Sequence, residues 1–319
     1  MEKHLRERFA SPKPKYRITN WRQYNAALVN RGSLTLWIDE VVIDRWHQVS
    51  GKGAVYHDDA ILCGLCLRSV FGLALRQTQG FLHSLALMLE LGVEVPHYST
   101  LSRRASRLKV PAQCPNRHNQ SGPLHLVIDS TGLKVFGEGE WKVRVHGVGK
   151  RRVWRKLHLG VDAASGEILA HELTMNNVHD GPVLPGLLDQ IDKPLDQVSA
   201  DTAYDSFRCH RAIHGRGARP VIPPRKGASI LPPRTVKDPP PTRGRIVQRI
   251  HQIGRKAWKK ESNYHQRSLA ETAMSRFKTI IGPKLRNRNI ENQKTEAAIG
   301  VAILNAFTAL GMPETVRIG

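Results

Sequence analysis

Two aspartates are placed where they would hold divalent cations. Leu124-His-Leu-Val-Ile-Asp129 is a short apolar run closing on an aspartate, and Gln197-Val-Ser-Ala-Asp201 reads as another short strand ending in one. Such runs read as buried strands, with the acid at the carboxyl end of each. Ligands of open α/β sheets collect at the carboxyl ends of strands. Asp129 and Asp201 would therefore converge on one metal-sized space. Magnesium prefers carboxylate oxygen, water and substrate phosphate, and manganese is satisfied by the same oxygens. Two such ions about 3.5–4 Å apart activate the attacking oxygen and stabilise the leaving oxygen of an in-line phosphoryl transfer. The expected cofactor is thus Mg²⁺, or Mn²⁺, at two ions per site.

A third acid follows from helix geometry. Residues 262–281 read as one helix carrying Tyr264, Arg267, Glu271 and Lys278. At about 100° per residue the last three lie at roughly −60°, −20° and −40° from Tyr264, so all four share a face. Leu269, Ala273, Phe277 and Ile280 lie opposite and can enter a core. Glu271 would complete the metal site, while Arg267 and Lys278 grip phosphate oxygens. The alternative is a solvated helix with an ordinary Arg267–Glu271 pair four residues apart.

The elements that would position these residues form two parts. Residues 1–20 are basic, carry Pro12 and Pro14, and read as an arm. Residues 21–110 read as helical: 58–77, then 80–91, then a short helix capped by Ser99 that carries Arg103, Arg104 and Arg107. Helix, turn and basic helix outline a helix-turn-helix reader; a solvated basic face on a helical bundle is the other reading. Residues 111–123, rich in Pro and Gly, read as a linker. From 124 to 313 the pattern is strand, hairpin (157–161 and 168–173), helix, strand, helix, strand, then two long helices. That describes an α/β domain with a mixed sheet of the ribonuclease H type. Within it, 223–260 is interrupted by prolines, and residues 205–260 hold 15 Lys or Arg against two acids. This predicts an irregular, strongly basic insertion. Residues 314–319 read as a tail.

Charge narrows the partner. The chain has 49 Lys and Arg against 27 Asp and Glu, a net charge of +22 over 319 residues. An excess of that size calls for a polyanion, and nucleic acid is the first candidate. A membrane surface would need a basic amphipathic helix or a lipid signal, and neither is found. No signal peptide or transmembrane run is expected, so the expected location is the bacterial cytoplasm, with the nucleoid. Cys63 and Cys66 form a C-x-x-C inside an apolar helical run without a second metal pair, which reads as buried structural thiols. His158 and His179 form no credible zinc set with any cysteine, so no zinc is assigned.

Three segments together carry a family resemblance: Asp129-Ser-Thr-Gly-Leu-Lys134, Asp201-Thr-Ala-Tyr-Asp205, and the spacing Tyr264-x2-Arg267-x3-Glu271-x6-Lys278. They resemble the DDE transposases of bacterial insertion sequences. Tyr16-Arg-Ile-Thr-Asn-Trp21 and Ile128–Trp141 resemble the insertion-sequence-five family in particular. The resemblance spans about residues 16–313. It implies a ribonuclease H-like catalytic domain with Asp129, Asp201 and Glu271 as metal-holding catalytic acids. It also implies that Tyr264, Arg267 and Lys278 contact terminal phosphates. The implied activity is binding the element's inverted repeats, cleaving its ends and joining them to target DNA, as a homodimer or larger synaptic assembly.

Further contacts to double-stranded DNA are expected from the basic stretch 131–160, with Lys134, Arg151, Arg152, Arg155 and Lys156 as candidates. Trp154 and Trp141 suit stacking on an unpaired base or ordinary packing. Asp205 reads as an N-cap, and Asp180 as a turn former or a support to the site. Two rival functions remain: a metal-dependent nuclease of the same fold, which cleaves without joining, and a non-catalytic DNA-binding repressor derived from a transposase.

Overall fold

The computed structural model describes residues 15–50, 53–111, 122–135, 153–231 and 241–318. A short strand β1 (Tyr16–Ile18) opens the described chain. Helices α1 (Trp21–Asn30) and α2 (Glu40–Asp44) follow, then a hairpin of β2 (His47–Ser50) and β3 (Gly53–Tyr56). Next come α3 (Asp58–Val70), α4 (Leu75–Met88) and α5 (Tyr98–Ala105). This half is therefore mainly, not wholly, helical. The helix expected over 58–77 is divided, because Gly72 takes a positive φ of 68° and turns the chain between α3 and α4. The cap of α5 is His97, whose Nδ1 accepts from the Ser99 amide. Residues 89–97 separate α4 from α5, longer than the three- or four-residue turn of a helix-turn-helix.

The second half is built on one sheet. β4 (Leu124–Val135), β5 (Trp154–Asp162) and β6 (Ile168–Met175) form an antiparallel meander. β7 (Leu195–Ala200) then pairs parallel to β4, and β8 (Arg219–Val221) parallel to β7. The order is β6-β5-β4-β7-β8, the arrangement of a ribonuclease H-like sheet. Helices α6 (Leu184–Leu188) and α7 (Phe207–Gly215) cover one face, where Leu126, Ile128, Val198 and Ala200 are buried with Leu187 and Ile213. After α8 (Pro241–Ile253) and α9 (Arg255–Glu261), helix α10 (Ser268–Ile280), strand β9 (Lys284–Leu285) and helix α11 (Ile290–Leu310) complete the other face. There Val127, Leu157 and Leu159 meet Ala273, Phe277 and Val301. Alternation along β4 sends successive side chains into these two cores.

α11 joins the halves. Ala297, Val301 and Leu304 face the sheet. Ile299, Ile303 and Phe307 face Ile61, Leu65 and Leu101 of the N-terminal helices. A helix apolar on every side belongs between two cores. Gly300 lets α11 approach α10: a Cβ there would lie 2.5 Å from Cε2 and 2.8 Å from Cζ of Phe277. Gly300→Ala should therefore lower stability by about 1–3 kcal/mol, although alanine is the better helix former. Thermal unfolding checks this; an unchanged or raised Tm would mean that the Phe277 ring yields freely.

The ends also depart from expectation. β10 (Thr315–Arg317), read as tail, pairs antiparallel with β1, read as arm. Much of the segment 223–260, read as irregular, forms α8 and α9. Pro241 sits at the first position of α8, where a missing amide proton costs nothing.

Candidate active site

β4 and β7 place the first two acids. Their parallel register ends at Ile128↔Ala200, so Asp129 and Asp201 follow side by side. Asp201 leaves the sheet as expected, and its side chain caps a 3₁₀ turn over Thr202–Tyr204 by accepting from the Ala203 amide at 2.9 Å. Asp129 does not end its strand. β4 runs on to Val135, paired only with β5 and then β9, so Asp129 stands mid-strand where β7 departs. Its side chain accepts from the Ser130 amide at 2.8 Å.

Tyr264, Arg267 and Glu271 arrive from the other face of the sheet. Asn263 takes a left-handed φ of 54°, and Tyr264–Arg267 form a 3₁₀ turn before α10 begins at Ser268. The expected continuous helix is thus broken at its start. Arg267 donates through Nη1 to Asp129 and through Nη2 to Glu271, joining strand to helix. Lys278 is half-buried two turns beyond Glu271 on α10, about 10 Å along the helix.

The electrostatics follow from this crowding. Burial raises the pKa of Asp129, and the neighbouring charges of Asp201 and Glu271 add to it, against the Ser130 amide and Arg267. Burial also raises Asp201, with Asp180 adding to it. Burial raises the Tyr264 hydroxyl, supported by Asp201 and Asp129. For Arg267 burial opposes the charge, but Asp129, Tyr264 and Glu271 outweigh it and hold the guanidinium charged. Three carboxylates, with Asp129 feeling the charges of the other two, are oxygen donors of the kind a hard dication takes. In the present arrangement Arg267 supplies the positive charge instead, and no three acids or imidazoles among the described residues surround one point. Holding a metal requires Arg267 to release Asp129 and Glu271.

Neighbouring acids have their own partners. Asp180 accepts from Lys156 Nζ at 2.9 Å, and burial beside it keeps His158 neutral, its pKa lowered to about 4. Asp205 is not a cap, since Ser206 caps α7. Its fully buried carboxylate accepts from Arg243 Nε at 2.8 Å and Nη2 at 3.0 Å, and from the Arg225 amide at 2.9 Å. That pair ties α8 to the segment four residues beyond Asp201. α9 in turn places Trp258 6.2 Å from the Tyr264 ring, and Lys259 over that ring at 4.9 Å. Nothing local in the sequence signals the Asp205–Arg243 pair, because its members are 38 positions apart.

The other expected DNA contacts differ in availability. Arg103 is exposed on α5, and Arg107, expected on the same helix, is exposed in the turn that follows it. Arg104 is turned inward, donating to Asp58 and to the Tyr56 carbonyl. Lys156 is likewise engaged by Asp180 and the Val178 carbonyl. Arg155 donates to Gln293 Oε1 at 2.9 Å. Trp154 packs over Gly132, where a Cβ would meet its ring at 3.2 Å, and Lys134 lies 5.5 Å from the centre of that ring. Arg151, Arg152 and Trp141 lie outside the described residues. Cys63, Cys66 and Cys209 are buried thiols, with Cys63 pushed up to about 12 by burial.

Residues 120–306 match a family model described as a transposase DDE domain. Residues 29–138 match a second model of the same description. Among solved structures, the cryo-EM structure of a piggyBac transposase synaptic complex with hairpin DNA is similar at 12% identity. The match covers 92% of this chain and 77% of that one, with a TM-score of 0.40.

Proposed function

The chain belongs to the DDE transposases, enzymes that cleave DNA and transfer strands, and we propose that it acts on the terminal inverted repeats of its own insertion sequence. In this reading it frees the element ends and joins them to target DNA, working as a homodimer in the bacterial cytoplasm. The observation that carries this is the junction of Asp129 with Glu271 through Arg267, beside Asp201 at the departure of β7.

Asp129, Asp201 and Glu271 would hold two Mg²⁺ ions, or Mn²⁺. The bound metal supplies charge for the attacking and leaving oxygens of an in-line phosphoryl transfer. The chain's own groups do the positioning. Tyr264, Arg267 and Lys278 would hold the terminal phosphates, with charge-assisted bonds from the two cations. Arg103, Arg107, Lys134, Trp154 and Arg155 would extend the contact along the duplex. Arg104 and Lys156 would contribute only after leaving their present partners. The division into an N-terminal recognition part and a catalytic part from 124 onward belongs to the same proposal. No helix among the described residues is long and apolar enough to cross a membrane.

The test incubates the purified chain with paired element-end duplexes, with Mg²⁺ and with chelator. Metal-dependent cleavage at the ends followed by joined products is expected. Cleavage without joining favours the nuclease reading. Specific binding with no cleavage, both ends being supplied, favours the repressor and overturns the proposal.

A further inference from the structure

Away from the three acids, a groove opens where the N-terminal helices meet the loop between β9 and α11. Its volume is about 690 Å³, and Arg68, the 72–75 turn, Ser102 and residues 286–289 wall it. A neighbouring recess of about 540 Å³ shares Ala74, Leu75, Gln77 and Ser102 with it. Arg68, Arg286 and Arg288 line the first, Arg76 and Arg103 the second, and no aspartate or glutamate lines either.

The loop is held in place. Glu296 accepts from the amides of Arg286 and Asn287 and from Asn287 Nδ2, at 2.8–3.0 Å. Gln293 Nε2 donates to the carbonyls of Asn287 and Arg288. The nearest acid is thus spent on shaping the loop, while Arg286 and Arg288 remain exposed. Arg68 Nε is buried without a hydrogen-bond partner among the described residues. Burial and then the neighbouring Arg286 charge work against the Arg68 cation, beyond what Glu296 offsets. The first turn of α4 faces the same space and carries no acid, so its unpaired amides add positive potential. Guanidinium groups gathered this way, with a buried donor unanswered, match phosphate oxygens. Two joined recesses suit a row of phosphates better than one.

We propose that this groove binds the phosphate backbone of duplex DNA through Arg68, Arg286 and Arg288 on one side and Arg76 and Arg103 on the other. The inference rests on the reading of the chain as an end-binding transposase, and adds a place where both halves grip one duplex. β9 pairs with β4 at Lys134 and Val135, five and six residues past Asp129.

The test uses the full chain with Arg76→Ala, Arg288→Ala and the double reversal R76E/R288E. Both residues are exposed, and thermal unfolding verifies that the fold is kept. Binding to an element-end duplex and to an unrelated duplex of equal length is titrated against salt, and end cleavage is assayed in parallel. Each alanine is expected to weaken both duplexes alike and to reduce the slope of log K against log salt by about one. The reversal should reduce it by about two or more. An unchanged slope for R76E/R288E overturns the groove, and cleavage by wild type then leaves the enzyme reading intact. Loss confined to the element-end duplex also overturns it, since that would signal base readout. Slope loss in the variants, with a wild type that never cleaves, supports the groove and sinks the catalytic reading. A wild type that binds neither duplex overturns both.

Discussion

Glu271→Gln and Arg267→Ala should both silence end cleavage, and the effect of a dication on stability should tell them apart. Glu271 is a ligand in the proposed site, and its loss should lower cleavage on the order of 10³-fold. Arg267 is instead the cation that Asp129 and Glu271 share in the structure described here. A dication must compete with it, so part of the metal's binding free energy goes into displacing the guanidinium. Without Arg267, partly buried Asp129 faces the charges of Asp201 and Glu271 with no counter-charge. Arg267→Ala should therefore unfold at lower temperature without metal, and Mg²⁺ should raise its Tm more than that of wild type. In Glu271→Gln the Mg²⁺ shift should be smaller than in wild type. Cleavage by Arg267→Ala should fall about 10²- to 10³-fold, because the freed guanidinium is also the phosphate clamp. Arg267→Lys keeps the charge but loses the fork, and should fall between. Equal Mg²⁺ shifts in all three proteins would refute the competition.

The buried strands were legible because they are buried. Residues 124–128 send side chains into two apolar cores, and Val198 and Ala200 enter one of them, so burial writes apolar positions into the sequence. The onward course of β4 was not legible. Ser130-Thr-Gly-Leu-Lys134 is polar, and it is a strand only because β5 runs beside it. The face shared by Arg267 and Glu271 could be read from helical spacing. The break before it could not, since Asn263 in the left-handed region leaves the apolar period of α10 untouched. Helices α8 and α9 were concealed by the prolines and by Gly254, yet Pro241 starts the first helix and Gly254, at φ 82°, separates the two. The β1–β10 pair joins three-residue strands some 300 positions apart, a contact no local pattern can announce. The arginine groove is of the same kind, assembled from α3, α4, α5 and a distant loop.

Arg243→Ala should cost about 3–5 kcal/mol at neutral pH, a large part of the roughly 5–15 kcal/mol that holds a domain folded. The mutation leaves the Asp205 carboxylate fully buried with its two strongest donors gone. It also removes a guanidinium stacked 4.9 Å from the Phe207 ring centre. The pH dependence identifies the cause. Burial alone would raise the Asp205 pKa, but His210, Arg243 and the Arg225 amide outweigh it and hold it below the ordinary carboxylate range. In wild type this contribution is present above about pH 4 and lost as pH falls below it. In Arg243→Ala only His210 and the Arg225 amide still oppose burial, so the folded pKa should rise relative to wild type and acidification should cost the variant less. The gap between the two proteins should therefore be widest near pH 7 and narrow as pH falls into the acid range, read as urea-unfolding free energies. Asp205→Asn, with no charge to bury, should show a pH-independent loss. The same pair docks α8, and α9 behind it sets Trp258 and Lys259 against Tyr264. Arg243→Ala should thus also weaken end-DNA binding at temperatures where it remains folded. A gap that stays constant with pH would show that lost packing around Phe207, and not the buried charge, dominates.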